Sequence, residues 1–187
     1  MSRARARPRH APGPAARATM GAVQPGAENP AALKVIARHA EAIATVRAFA
    51  ERSEALRVVL LLDLGEEAPA MLDAAPGGTL ELTHEGEAHE VPAAMPVLAA
   101  PRALPEIRPA PYSALRADPQ TGELAAPIGA IANLGHAVLG LARAFGGRSV
   151  ATAEFATQDP DLPMTIVARD GEPLLLAVGE GRFELPL

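Results

Sequence analysis

Apolar residues recur at steps of three and four along PIGAIANLGHAVLGLARAFGG, residues 127 to 147. Ile128, Ile131, Leu134, Val138, Leu141 and Phe145 fall on one helical face, so the spacing predicts a helix. Pro127 suits a first turn because its missing N–H removes no helical bond, and Gly146-Gly147 suits a stop. The remainder of the segment is almost as apolar. Only Asn133, His136 and Arg143 are polar, and they share one narrow sector. A helix apolar nearly all round is covered on more than one side. Leu134 and Val138 are therefore expected to be buried and His136 to reach solvent. A second helical pattern runs from Pro30 to Ser53, opened by Asn29 as N-cap. Leu33, Ile36, Ile43, Val46 and Phe49 form its inner face, and Lys34, Arg38, Glu41 and Arg52 its outer one.

Elsewhere the period shortens to two. Leu56 to Leu64, LRVVLLLDL, is a continuous apolar run with β-branched residues, the pattern of an interior strand covered on both faces. Ala68 to Ala75 reads as a short helix whose start is complemented by Glu66 and Glu67. TLELTHEGEAHEV, residues 79 to 91, predicts a hairpin with Glu85-Gly86 at its tip. That register pairs His84 with Glu87, Leu82 with His89 and Leu80 with Val91. After the central helix, Ser149 to Thr157 alternates, with Ala151, Ala153 and Phe155 on one face. Met164 to Arg169 and Glu172 to Val178 read as a hairpin turning at Asp170-Gly171. This register sets Arg169 opposite Glu172 and puts Pro173 at a sheet edge. Arg182 to Leu185 adds a short last strand.

Together these elements predict an α+β fold: two main helices packed on a mostly antiparallel sheet. Residues 30–187 read as a single domain. Within it, residues 92–127 form a long proline-rich strap between the two β segments, with prolines at 92, 96, 101, 105, 109, 111, 119 and 127. Residues 1–29 read as a disordered basic tail of Arg, Ala and Pro, because they cannot bury enough apolar surface to offset ordering.

Composition narrows the class. The 187 residues carry a net charge of −5. Arg3, Arg5, Arg7, Arg9 and Arg17 are unaccompanied by any acid up to Ala27, which leaves the body strongly acidic. An acidic body with a single tyrosine, no tryptophan and four phenylalanines offers no platform for nucleic acid beyond weak contact by the Arg-rich tail. The absence of cysteine excludes disulfides, thiol catalysis and cysteine-held metal. No apolar run reaches membrane-spanning length, and a soluble cytoplasmic protein is expected. Lys34 is the only lysine, a bias that points to a GC-rich bacterial source.

The sequence contains no phosphate loop, nucleophile elbow or HExxH helix. Two constellations are left. His84, Glu87 and His89 share one face of the predicted hairpin, where two imidazoles and a carboxylate are candidate metal ligands. Asn133, His136 and Arg143 present polar groups on a rigid helix, suited to a small ligand or an anion. No cofactor is indicated. The chain reads as a small binding or adaptor module, non-enzymatic and open to self-association or a protein partner. The competing reading is a metal- or ligand-binding domain or an enzyme using one of those two trios.

Overall fold

A computed structural model describes residues 29–65, 68–108, 115–118, 120 and 123–185. The expected disordered tail, apart from Asn29, lies outside the described residues. The chain starts as the sequence predicts. Asn29 accepts a hydrogen bond from the Ala31 N–H at 2.9 Å and caps α1 (Pro30–Arg38). The helical period is then interrupted at His39, whose ψ of 14° leaves the helical range, and α2 (Ala40–Ser53) follows. The single helix expected from Pro30 to Ser53 is thus two.

The first β segment is a four-stranded meander: β1 (Arg57–Leu62), β2 (Ala70–Ala74), β3 (Leu80–His84) and β4 (Glu87–Val91). The helix expected over Ala68–Ala75 is strand β2. Its helix-forming composition is overridden because Ala70, Leu72 and Ala74 alternate into the core and pair with β1 and β3. The β3–β4 register is the predicted one, with Glu85 and Gly86 at φ +52° and +82° making the tight turn. After a long connection bearing the small pair β5 (Arg116–Ala117) and β6 (Leu124–Ala125) comes α3 (Ile128–Phe145). A second meander follows: β7 (Val150–Phe155), β8 (Met164–Arg169), β9 (Leu174–Val178) and β10 (Gly181–Leu185). The two meanders join through β1 and β7 into one antiparallel eight-stranded sheet, ordered β10-β9-β8-β7-β1-β2-β3-β4.

The register between β8 and β9 differs by one residue from the predicted one. Val167 faces Leu175, so Arg169 and Glu172 meet as an ion pair across the turn at 2.9 Å, not as opposed strand residues. Pro173 precedes a strand flanked on both sides, and the sheet edges are β4 and β10. The shift brings Leu174, Leu176 and Val178 inward.

The β1–β7 register exposes an internal two-fold. Val59 lies opposite Thr152, Arg57 opposite Glu154 and Leu61 opposite Val150. A half-turn about the Val59–Thr152 pair exchanges the halves. Inward Val58, Leu60 and Leu62 then match Ala151, Ala153 and Phe155. Ala70 to Val91 match Met164 to Leu185 without a gap, including Leu80 with Leu174, Leu82 with Leu176 and Glu90 with Glu184. Buried Ala42, Val46, Phe49 and Ala50 of α2 match buried Leu134, Val138, Leu141 and Ala142 of α3. The chain is two copies of one helix-plus-meander unit.

All three helices pack on one face of the sheet, and their shared core includes Ile43, Phe49, Leu60, Leu72, Leu82, Leu134, Leu141 and Ile166, all 0–1% exposed. Each such side chain contributes about 1.5–3 kcal/mol by burial. Leu134 and Val138 are buried and His136 is exposed, as the helical period predicts. Residues 92–108 cross the outer side of α2 and α3. The Arg47 guanidinium donates to the carbonyls of Val91, Pro92 and Met95 at 3.1, 2.7 and 3.0 Å. The Arg102 N–H donates to Thr45 Oγ1 at 2.9 Å. Its guanidinium donates to the Glu41 carboxylate at 2.8 Å and to the Ala144 carbonyl, 4.5 Å above the Phe145 ring. No described helix is long and apolar enough to cross a membrane.

Candidate functional site: the open face of the sheet

The two trios singled out in the sequence have different fates. The hairpin register puts His84 opposite Glu87 and Leu82 opposite His89, so the three side chains share a strand pair as expected. They do not converge as a ligand set. His84 is 5% exposed and packs its ring 5.0 Å from that of His39, whereas Glu87 is exposed at the hairpin tip. Among the described residues, no group of three or more His, Asp or Glu is placed to hold a metal ion. On α3, Arg143 ion-pairs with Asp170 of the β8–β9 turn at 2.7 Å, while His136 is exposed and Asn133 is half-buried. Both side chains of that pair are about half exposed, so it is a surface contact between α3 and the second meander.

The feature that the fold creates is the other side of the sheet. Strand side chains alternate between faces, so every second residue points away from the helices. Among the described residues, no element covers that side. Its centre is apolar: Met71, Leu61 and Val150 stand side by side on β2, β1 and β7, and Val59, Thr152, Val167 and Leu175 form the next row across β1, β7, β8 and β9. Leu61 is 39% exposed and Leu175 48%. The covered interior strand expected for Leu56–Leu64 is therefore central in the sheet but covered on one face only. The helices of one layer suffice to bury one side of eight strands and no more.

Toward β4 the face becomes acidic. Asp73 of β2, Glu81 of β3 and Glu90 of β4 are directly opposed in register, three carboxylates in a row across adjacent strands. Like charges so opposed are destabilising. Asp73 is relieved by Arg57, which donates from Nε at 2.9 Å and from its terminal nitrogen at 2.5 Å; the same pairing raises the Arg57 pKa. Glu154 lies 4.0 Å from Arg57 on the far side. Leu56, Arg57, Asp73, Glu81 and Glu90 line a shallow cleft of about 620 Å³ here. Arg169, Arg182 and Glu184 complete the charged margin toward β10. An apolar centre within a mixed charged rim is suited to contact with another protein surface.

The sequence reading missed this face because it took β1 as doubly covered and β2 as a helix. The alternation of Met71 and Asp73 with Ala70, Leu72 and Ala74 was the available signal. Comparison of the chain with protein-family models, curated proteins and solved structures found no match.

Proposed function

We propose that this protein is a non-enzymatic binding module whose working surface is the open face of the eight-stranded sheet, and that a second copy of the chain is an occupant the face fits. The carrying observation is the exposure of Leu61 and Leu175 within a continuous apolar centre. Strand spacing of about 4.8 Å and a rise of about 3.3 Å per residue make the face roughly 35–40 Å by 17 Å. That approaches the area of roughly 800 Å² per partner that a stable interface buries. The rim carries both signs, Arg57, Arg169 and Arg182 with Asp73, Glu81, Glu90, Glu154 and Glu184, as a surface that meets its own copy across a two-fold requires. In this reading residues 92–108 are a structural strap: Arg47 holds the Pro92 and Met95 carbonyls, and the Arg102 backbone N–H donates to Thr45 of α2.

Static light scattering across micromolar concentrations tests it. The native chain is expected to gain mass above the monomer with concentration. The double variant Leu61→Lys, Leu175→Lys is expected to stay monomeric while keeping its fold. A native chain that remains strictly monomeric sinks the self-association reading.

A further inference from the structure

We infer that a second copy of the chain adds to the outer edge of β10, pairing β10 with β10 about a two-fold axis centred on Phe183. The backbone of this edge is open to such a strand. β9 and β10 join through the two-residue turn Gly179-Glu180, with Gly179 at φ +53°, Val178 opposite Gly181 and Leu176 opposite Phe183. In a hairpin of this kind the pair flanking the turn exchanges backbone bonds, and so does every second pair beyond it. Gly181, Phe183 and Leu185 therefore bond to β9, and the N–H and C=O groups of Arg182 and Glu184 point out of the sheet. Among the described residues, no strand lies beyond β10 and nothing hydrogen-bonds to those outward groups. The contact is separate from the open face, since it uses the strand edge.

Charge selects both the occupant and its register. An axis centred on Arg182 sets that arginine against its own copy, and one centred on Glu184 opposes two carboxylates. Like charges so opposed are destabilising. An axis centred on Phe183 sets Arg182 opposite Glu184 on both sides of it, and every outward N–H and C=O of these residues gains a partner. In the single chain the Arg182 guanidinium folds back on the Gly179 and Gly181 carbonyls at 2.8 Å and, among the described residues, meets no carboxylate. On the helix side Phe183, 37% exposed, meets its own copy as a cross-strand aromatic pair. The opposite edge lacks this complementarity. An axis on His89 of β4 sets Ala88 against Glu90, and the charges there, Glu87 and Glu90, share one sign. A charged edge of that kind resists pairing. The chain already uses the inferred mode once, where its halves join edge to edge through antiparallel β1 and β7 with Arg57 opposite Glu154. As there, the axis stands perpendicular to the sheet, so the helices of both copies share one side and their open faces run together on the other. Five residues a side bury less than the roughly 800 Å² per partner of a stable interface, so the contact is weak and is best read by trapping it.

The chain has no cysteine, so one introduced thiol reports the edge alone. Residues opposed at the axis have Cα atoms about 4.5–5.5 Å apart, within disulfide range. The full chain carrying Phe183→Cys, concentrated and mildly oxidised, is expected to form a disulfide-linked dimer, whereas His89→Cys at the same place on β4 is expected to stay unlinked. Adding either Arg182→Glu or Glu184→Arg to the Phe183→Cys chain is expected to cut the yield at least about fivefold, because like charges then oppose. Mixing those two chains restores it, since each glutamate then faces an arginine of the other. Phe183 and Leu61 point to opposite sides of the sheet, so a dimer through the open face leaves Phe183→Cys unlinked. In the native chain, amide hydrogen exchange at Arg182 and Glu184 is expected to slow as concentration rises. A Phe183→Cys yield no higher than that of His89→Cys, a yield unmoved by the charge variants, or exchange independent of concentration overturns the inference. So does a Phe183→Cys chain that links only to a His89→Cys chain, since β10 then pairs head to tail with β4.

Discussion

Arg47 shows how much one side chain settles here. Where the chain leaves β4, the Arg47 guanidinium reaches from α2 and donates to three carbonyls, those of Val91, Pro92 and Met95. Burial lowers the Arg47 pKa, an effect partly countered by Glu51, yet an arginine stays charged at any ordinary pH. Arg47→Met keeps the aliphatic volume and removes every donor. It is expected to cost about 2 kcal/mol, the scale of charge-assisted bonds to partly buried carbonyls. A lower urea midpoint with an unchanged slope checks it. The histidines teach the opposite lesson. Val178 occupies the place of His84 in the second half and Phe183 that of His89. Positions that look like ligands in a hairpin sequence are apolar packing positions in the repeat unit.

At the scale of elements, α3 was the most legible part of the chain, because a 3.6-residue period over five turns leaves no competing pattern. Its glycines, however, differ in ways the period does not reveal. A Cβ at Gly140 would run into the ring of Pro105, with Cδ only 2.5 Å away, whereas one at Gly129 meets nothing within 4 Å. Gly140→Ala is expected to lower stability by about 1–2 kcal/mol, since overpacking outweighs the gain in helix propensity. Gly129→Ala, near the free start of the same helix, is expected to raise it by up to about 0.5 kcal/mol. Thermal unfolding of the two single variants should move in opposite directions. β2 was illegible for a different reason. Ala, Met and Leu favour helix locally, and only its pairing with β1 and β3 makes the strand.

For the molecule as a whole, the internal two-fold predicts how it comes apart. The halves meet through a full antiparallel pairing of β1 with β7, through α2 packed on α3, and through residues 92–108 gripping both helices. A protease site engineered between β5 and β6, followed by cleavage, should therefore leave the two fragments co-eluting on gel filtration with native circular dichroism. Fragments that separate without denaturant would show the halves to be weakly joined. The two-fold also shows where the halves differ. On the open face Asp73 and Glu81 have Val167 and Leu175 as counterparts, whereas Glu90 is matched by Glu184.

By itself the sequence determined the periodic elements: the central helix, the β3–β4 hairpin with its register, the inward triplet Ala151, Ala153 and Phe155, and the α+β class. These rest on local spacing and turn chemistry, which a single chain displays. Tertiary structure decided the rest: that β2 is a strand despite its helix-favouring residues, that the two meanders join through β1 and β7 into eight strands, and that among the described residues one face is left without a covering element. The joining of β1 with β7 pairs segments about 90 residues apart, which leaves no mark in local periodicity. The two halves share the apolar pattern, while most of the residues that carry it differ between them.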